Sequence, residues 1–263
     1  MKKMMWVRIG CVMAAVLSAS IAGASDLEIA SSGFGKGVPS KGAPATVVHQ
    51  GKVTRIVDGD TIRFVPEGAG VTPGELKIRM VNIDAPESHF PTDAGPVVGQ
   101  QPWGQFATDA LKALITDPEN AELEDFGLDK YGRTLGRLYI KGQDINLAMV
   151  RSGMAFPYPI CADADCTPDF FQRHHVDAYV AACEDAQDHG RGVHNPRKPL
   201  TEAPYLFRLR MNNKPASKFV GDLKTRRLYA PDQYNQVPIC SRVFFLKEEE
   251  ANAVGYYKSR VLR

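Results

Sequence analysis

Three β-patterned runs in close succession, Val47 to Val57, Thr61 to Val65 and Leu76 to Ile83, constrain this chain more than any other feature. They are rich in Val, Ile and Leu and are separated by Asp58-Gly59-Asp60 and by the segment from Pro66 to Gly74. Three consecutive strands joined by turns make a meander. From Pro102 to Ile115 the apolar period changes to that of a helix, with Phe106, Ala110, Leu111 and Leu114 on one face, widened by Trp103 and Ala107. Such a stripe packs a helix behind a sheet. Ala121 to Phe126 and Thr134 to Ile140 read as two further strands around the turn Asp129-Lys130-Tyr131-Gly132. Asp144 can cap a short helix running to Val150, and Thr167-Pro168 opens a last helix that ends at Gly190.

Five strands with about three interleaved helices predict an α+β fold built on a small closed barrel of the oligonucleotide-binding class. On either side of it the composition changes. Lys2, Lys3 and Arg8, an apolar run from Ile9 to Ile21 and the small residues Ala22-Gly23-Ala24 describe a cleavable export leader over residues 1–24. Its apolar run is shorter than the roughly 20 residues of a spanning helix, so no stable membrane insertion is expected after cleavage. Residues 25–45 are rich in Gly, Ser and Pro and read as a flexible lead-in. The barrel domain is assigned to 46–198, a Pro-, Arg- and Asn-rich linker to 199–216, and a small basic α/β module to 217–263, with strands from Lys218 to Tyr229 and from Arg242 to Leu246 before a helix opened by Glu248-Glu249-Glu250.

Charge gives no argument for nucleic acid in bulk, but it is unevenly spread. Ala45 to Lys198 carries 15 basic and 22 acidic residues, whereas Pro199 to Arg263 carries 12 and 6. In the tail, Arg208, Arg210, Lys214, Lys218, Lys224, Arg226 and Arg227 are candidates to hold a polyanion that the acidic body repels. Beyond the leader the cysteines are Cys161, Cys166, Cys183 and Cys240, an even set that an oxidising compartment favours as disulfides. They allow three pairings, of which Cys161 with Cys166 would staple a short loop. One CxxxxC pair without a second is a poor zinc signature.

Four acidic residues stand at turns rather than on faces: Asp58 and Asp60 in Val57-Asp58-Gly59-Asp60-Thr61, and Asp84 and Glu87 in Ile83-Asp84-Ala85-Pro86-Glu87. In a meander both clusters can meet at one sheet edge, where converging carboxylates repel unless a cation lies between them. Oxygen-only ligands suit calcium or magnesium. Arg79 lies on the strand that leads to Asp84, and Arg133 follows the turn at Gly132. Guanidinium groups match phosphate oxygens, so carboxylates with arginines at strand ends describe a metal-assisted phosphodiester site. His174 and His175 are neighbours on the expected helix and point different ways, so they, with His189 and His194, are read as core or surface residues.

Ile56-Val57-Asp58-Gly59-Asp60-Thr61, Ile78-Arg79-Met80-Val81-Asn82-Ile83-Asp84-Ala85-Pro86-Glu87 and Asp129-Lys130-Tyr131-Gly132-Arg133 resemble the three signature segments of the staphylococcal nuclease family, in the family's order. The resemblance covers about Thr46 to Asn195. It implies that Asp60, Asp84 and the Ala85 backbone carbonyl hold calcium. Arg79 and Arg133 would bind the scissile phosphate, and Glu87 would orient or deprotonate the attacking water. Lys130 and Tyr131 would flank the substrate, Asp58 would stand behind the ligands, and Tyr158 is the candidate for stacking on a base. Ala85 replaces the family's threonine, which removes a hydroxyl but not the backbone ligand.

Lys218 to Lys258 is faintly similar to a small zinc-binding module of alkylation-repair proteins that uses four cysteines. Only Cys240 is present here, so no zinc is expected. The resulting expectation is an exported, periplasmic or secreted, monomeric nuclease that depends on calcium. It would act on DNA or RNA with little sequence preference, favour single strands and leave 3′-phosphates. The alternative is a non-catalytic nucleic-acid-binding barrel of the cell envelope.

Overall fold

The expected meander forms as β1 (Val47–Ile56), β2 (Thr61–Pro66) and β3 (Leu76–Met80), each antiparallel to the next. Strands β4 (Ala121–Leu128) and β5 (Thr134–Ile140) complete the barrel, with β4 antiparallel to both β1 and β5. A parallel pairing of β3 with β5 closes it, so the five strands form a small barrel of the oligonucleotide-binding type. Alternate residues of these strands, among them Ile62, Phe64, Ile78, Leu123 and Leu138, are fully buried inside it. Removal of such a side chain from water stabilises the fold by about 1.5–3 kcal/mol.

This computed structural model describes residues 46–68, 74–92 and 95–258, and the side chains of residues 92, 95 and 96 are not among them. The leader expected over 1–24 and the lead-in over 25–45 lie outside the described residues. Among those residues no helix is long and apolar enough to cross a membrane.

Helix α1 (Trp103–Leu114) packs behind the sheet, but its buried stripe is Trp103, Ala107, Thr108 and Leu111. Phe106, expected on that face, is 44% exposed and lies edge-on to Trp103. Helix α2 (Ile145–Arg151) is capped as expected: the Asp144 carboxylate accepts the Leu147 N–H at 2.8 Å. The single long helix expected from Thr167 to Gly190 is instead two pieces, a turn at Phe170–Arg173 and helix α3 (Val176–Asp188). The break falls at His175, whose φ of 53° is left-handed.

The expected linker is structured. Helix α4 (Pro204–Met211) begins with proline at its first position and buries Pro204, Tyr205 and Phe207. Strands β6 (Phe219–Asp222), β7 (Arg227–Tyr229) and β8 (Arg242–Phe245) then form an antiparallel sheet, followed by α5 (Glu248–Ala253). This sheet is not a separate module, because β8 pairs in parallel with Ile160–Cys161, which belongs to the segment assigned to the barrel domain. Disulfides join Cys161 to Cys166 and Cys183 on α3 to Cys240 just before β8, and the second links the two parts of the chain covalently.

Candidate active site

The acidic turns meet where β2 begins and β3 ends. The register that places Thr61 opposite Arg79 brings Asp60, one residue before β2, alongside the Arg79 side chain. The Arg79 guanidinium pairs with Asp60 Oδ1 and donates to Asp84 Oδ1 at 2.8 Å and to the Ile83 carbonyl at 3.1 Å. Asp60 Oδ2 in turn accepts the Ala85 N–H at 2.8 Å, so the two acidic segments are tied directly to each other. Asp58 caps the first turn by accepting the Asp60 N–H at 3.0 Å. Burial raises the Asp58 carboxyl above its usual range against the pull of Arg79, and burial also lowers Arg79 against the pull of Asp84.

Two glycines fix this geometry by close approach. A Cβ at Gly59 would lie 2.7 Å from the Cβ atoms of both Ala85 and Ala107, so the Asp-Gly-Asp turn is wedged between the second acidic segment and α1. Gly59 has no positive φ; proximity, not the turn conformation, demands glycine there. A Cβ at Gly104 would lie 2.1 Å from the Glu87 carbonyl oxygen, so the first turn of α1 supports the Glu87 backbone directly.

Asp84 is 1% exposed, and its Oδ2 is buried without a hydrogen-bond partner. A carboxylate oxygen left unpaired in the interior is costly unless it meets a cation. With Asp60 beside it and only oxygen donors present, the set fits a hard divalent ion held by Asp60, Asp84 and the Ala85 carbonyl.

Arg133 arrives from the other side, because the parallel register of Ile78 with Thr134 sets its turn beside β3. Its side chain is held on Asp129 Oδ2, with Nε at 2.8 Å and Nη2 at 2.7 Å, while Asp129 Oδ1 accepts the Tyr131 and Arg133 N–H groups at 2.8 and 2.9 Å. These donors outweigh burial and hold the Asp129 carboxyl below its usual range. Lys130 and Tyr131 form the exposed tip of this turn, with the Tyr131 ring 70% exposed and the Lys130 ammonium 5.1 Å from its centre.

Tyr158 does not fit its expected role of stacking on a base. It is buried, its ring lies against Tyr205 at 5.5 Å and Phe244 at 4.6 Å, and its hydroxyl is hydrogen-bonded to Arg208. Tyr205 and Phe244, both from the C-terminal part, cover its ring. Of the histidines, His174 is buried between the rings of Phe126 and Phe170, and His189 is exposed. His194 Nε2 lies 3.9 Å from Cys183 Sγ, a sulfur already bonded to Cys240.

Glu87 is held by a residue that the sequence reading placed in a linker. Arg208, on α4, donates from Nη1 to Glu87 Oε1 at 2.5 Å and from Nη2 to Asp84 Oδ1 at 2.8 Å. Burial raises the Glu87 carboxyl, with Arg208 opposing it. Lys218 also faces this site: burial lowers its ammonium, the Arg208 charge adds to the effect, and Asp84 opposes it. Pro204-Tyr205-Leu206-Phe207, an apolar run opened by proline, was the sequence sign that Arg208 sits on a docked helix.

The family model for staphylococcal nuclease homologues matches residues 77–193. Endonuclease YhcR of Bacillus subtilis (strain 168) is 33% identical over 213 residues, 80% of this chain and 17% of the relative. An uncharacterized endonuclease of Haemophilus influenzae is 30% identical over 161 residues, 61% of this chain and 75% of the relative. Micrococcal nuclease of Shigella flexneri is 34% identical over 124 residues, 44% of this chain and 62% of the relative. The chain thus spans only a small part of the Bacillus protein and under two thirds of the Shigella protein. With the closed barrel, the two joined acidic turns and the paired arginines, these matches make the chain a member of the staphylococcal nuclease family.

Proposed function

We propose that this protein is an exported nuclease that hydrolyses phosphodiester bonds of DNA, RNA or both with calcium as its cofactor. The observation that carries the reading is the unpaired, buried Asp84 Oδ2 beside Asp60, with Arg79 bridging the two carboxylates. Calcium held by Asp60, Asp84 and the Ala85 carbonyl would supply neutralising charge to the phosphate oxygens. Arg79 and Arg133 bind those same oxygens, where negative charge grows during in-line attack. Glu87 accepts a proton from the attacking water, a new P–O bond forms, and the bond to the 5′ oxygen breaks to leave a 3′-phosphate. The 5′ oxygen leaves as an alcohol after taking up a proton from solvent.

The exposed turn tip with Lys130 and Tyr131 offers one charge and one aromatic face to a strand without reading base edges, which supports low sequence preference and access by single strands. Two disulfides support an oxidising destination, the periplasm or the medium, reached through the leader over 1–24. The enzyme works as a monomer. Incubation of end-labelled single-stranded DNA and RNA with the purified protein in calcium or in EDTA tests the proposal. Calcium-dependent fragments that end in 3′-phosphates support it, and binding without cutting supports the non-catalytic alternative.

A further inference from the structure

Of the cationic tail residues, few are free to meet a polyanion. Arg210 pairs with Glu202, Lys224 with Glu184, and Arg226 lies over the rings of Phe171 and Tyr256. Arg208 differs from these, because its guanidinium reaches into the active site and forks between two carboxylates.

The attachment of α4 around Arg208 is specific. Gln100, itself buried, accepts the Glu87 N–H at 3.2 Å on its side-chain oxygen and donates from Nε2 to the Glu202 carbonyl at 2.8 Å. One side chain therefore ties the Glu87 backbone to Glu202, two residues before α4. Tyr205, one turn before Arg208, lies against Tyr158, and Phe207 lies edge-on to Phe90 at 6.3 Å. Burial alone would lower the Arg208 guanidinium, but Asp84 and Glu87 outweigh it and hold the charge in place.

We propose that Arg208 is a positioning residue of the active site, which fixes the Glu87 carboxylate for its work on the attacking water, so that the C-terminal part of the chain completes the catalytic machinery. This inference rests on the nuclease reading above. The side chain of a glutamate has three rotatable bonds, and a shift of 1 Å from productive geometry can cost about 100-fold in rate. Gln100 and Gly104 hold only the Glu87 backbone. Arg208 holds the carboxylate itself, through Oε1. Lysine keeps the charge but lacks the fork that joins Glu87 to Asp84.

The test is a double-mutant cycle in steady-state cleavage of a single-stranded oligonucleotide in calcium, with R208A, E87Q and the pair, alongside R208K and K247A. For R208A a fall in kcat of about 100-fold is expected, with KM little changed. R208K restores only part of that loss, and K247A, exposed in the same C-terminal part but outside the site, behaves as the wild type. The pair is expected to be no slower than E87Q alone, because an arginine that acts through Glu87 has nothing left to position. Affinity for the same oligonucleotide in EDTA, read by fluorescence anisotropy, stays within a few-fold of wild type in R208A. Additive losses, a KM effect alone, full rescue by lysine, or unchanged or faster cleavage by R208A would each overturn the proposal. If R208A fails to fold, R208Q and R208K carry the same comparison. A wild-type protein that does not cut at all would instead remove the nuclease reading on which the inference stands.

Discussion

At the scale of single residues, the site is defined by which oxygen faces which donor. Arg79 and Arg208 both bind Oδ1 of Asp84, and Oδ2 is left without a partner in the interior. That asymmetry makes Asp84 the residue most sensitive to a cation. Replacement of Asp84 by asparagine removes the charge while keeping the size, so added calcium is expected to raise the melting temperature of the wild type but not of the variant; differential scanning fluorimetry reads this directly. Gly59 is sensitive for a different reason. Valine there would meet Ala85 and Ala107, and overpacking of this kind costs about 1–3 kcal/mol. A chemical denaturation curve of Gly59→Val should show that loss, and activity should fall further than stability because the displaced turn carries Asp60, which is joined to Arg79 and to the Ala85 N–H.

At the scale of elements, the turn between β4 and β5 shows how a loop can aim a charge. Asp129 takes two backbone N–H groups and the Arg133 side chain, which keeps its carboxyl below the usual range. A carboxyl depressed in the folded state contributes stability above its unfolded value, about pH 4, and that contribution is lost as pH falls through the folded value. Asp129→Asn keeps the side-chain oxygen but not the ion pair, so a cleavage rate lower by about tenfold is expected in steady-state assays, with a melting temperature within a few degrees of wild type. The elements that read correctly from the sequence were those with a strong local signal. Alternation gave β1 to β5, and Asp144 gave the start of α2. Asp-Gly by itself marks only a turn; the acidic turns were legible through their company, Arg79 and Arg133 nearby and three segments in the family's order, and their convergence follows from the meander. What the sequence hid has physical causes. The break at His175 is a backbone conformation that no residue pattern announces. Tyr158 looked available because its cover, Tyr205 and Phe244, lies far along the chain. Arg208 reads as one more tail cation until α4 is docked.

At the scale of the whole molecule, the C-terminal part is built into the barrel body rather than appended to it. It shares a sheet with Ile160–Cys161, is bonded through Cys183–Cys240, and places Arg208 beside Glu87 and Lys218 close by. Its removal would also strip the cover from Tyr158, so truncation is a poor test of its role. The Cys183–Cys240 bridge, with a sequence separation of 57, constrains a long loop of the unfolded chain, worth about 4 kcal/mol in the chain-entropy view. Replacement of both cysteines by serine should lower stability by about that amount, whereas the same change at Cys161 and Cys166 should cost about 2 kcal/mol, as measured by urea denaturation.

The central claim is that one site of two aspartates, Glu87 and two arginines cuts nucleic acid with the help of a cation. Its most direct test is single-turnover cleavage of a labelled single-stranded oligonucleotide by the wild type and by Glu87→Gln, each in calcium and in EDTA. The account predicts cutting by the wild type in calcium only, slowed by about 100- to 10,000-fold in the variant, while both proteins melt alike. Cleavage that persists in EDTA, or that is indifferent to the loss of the Glu87 carboxylate, would contradict it.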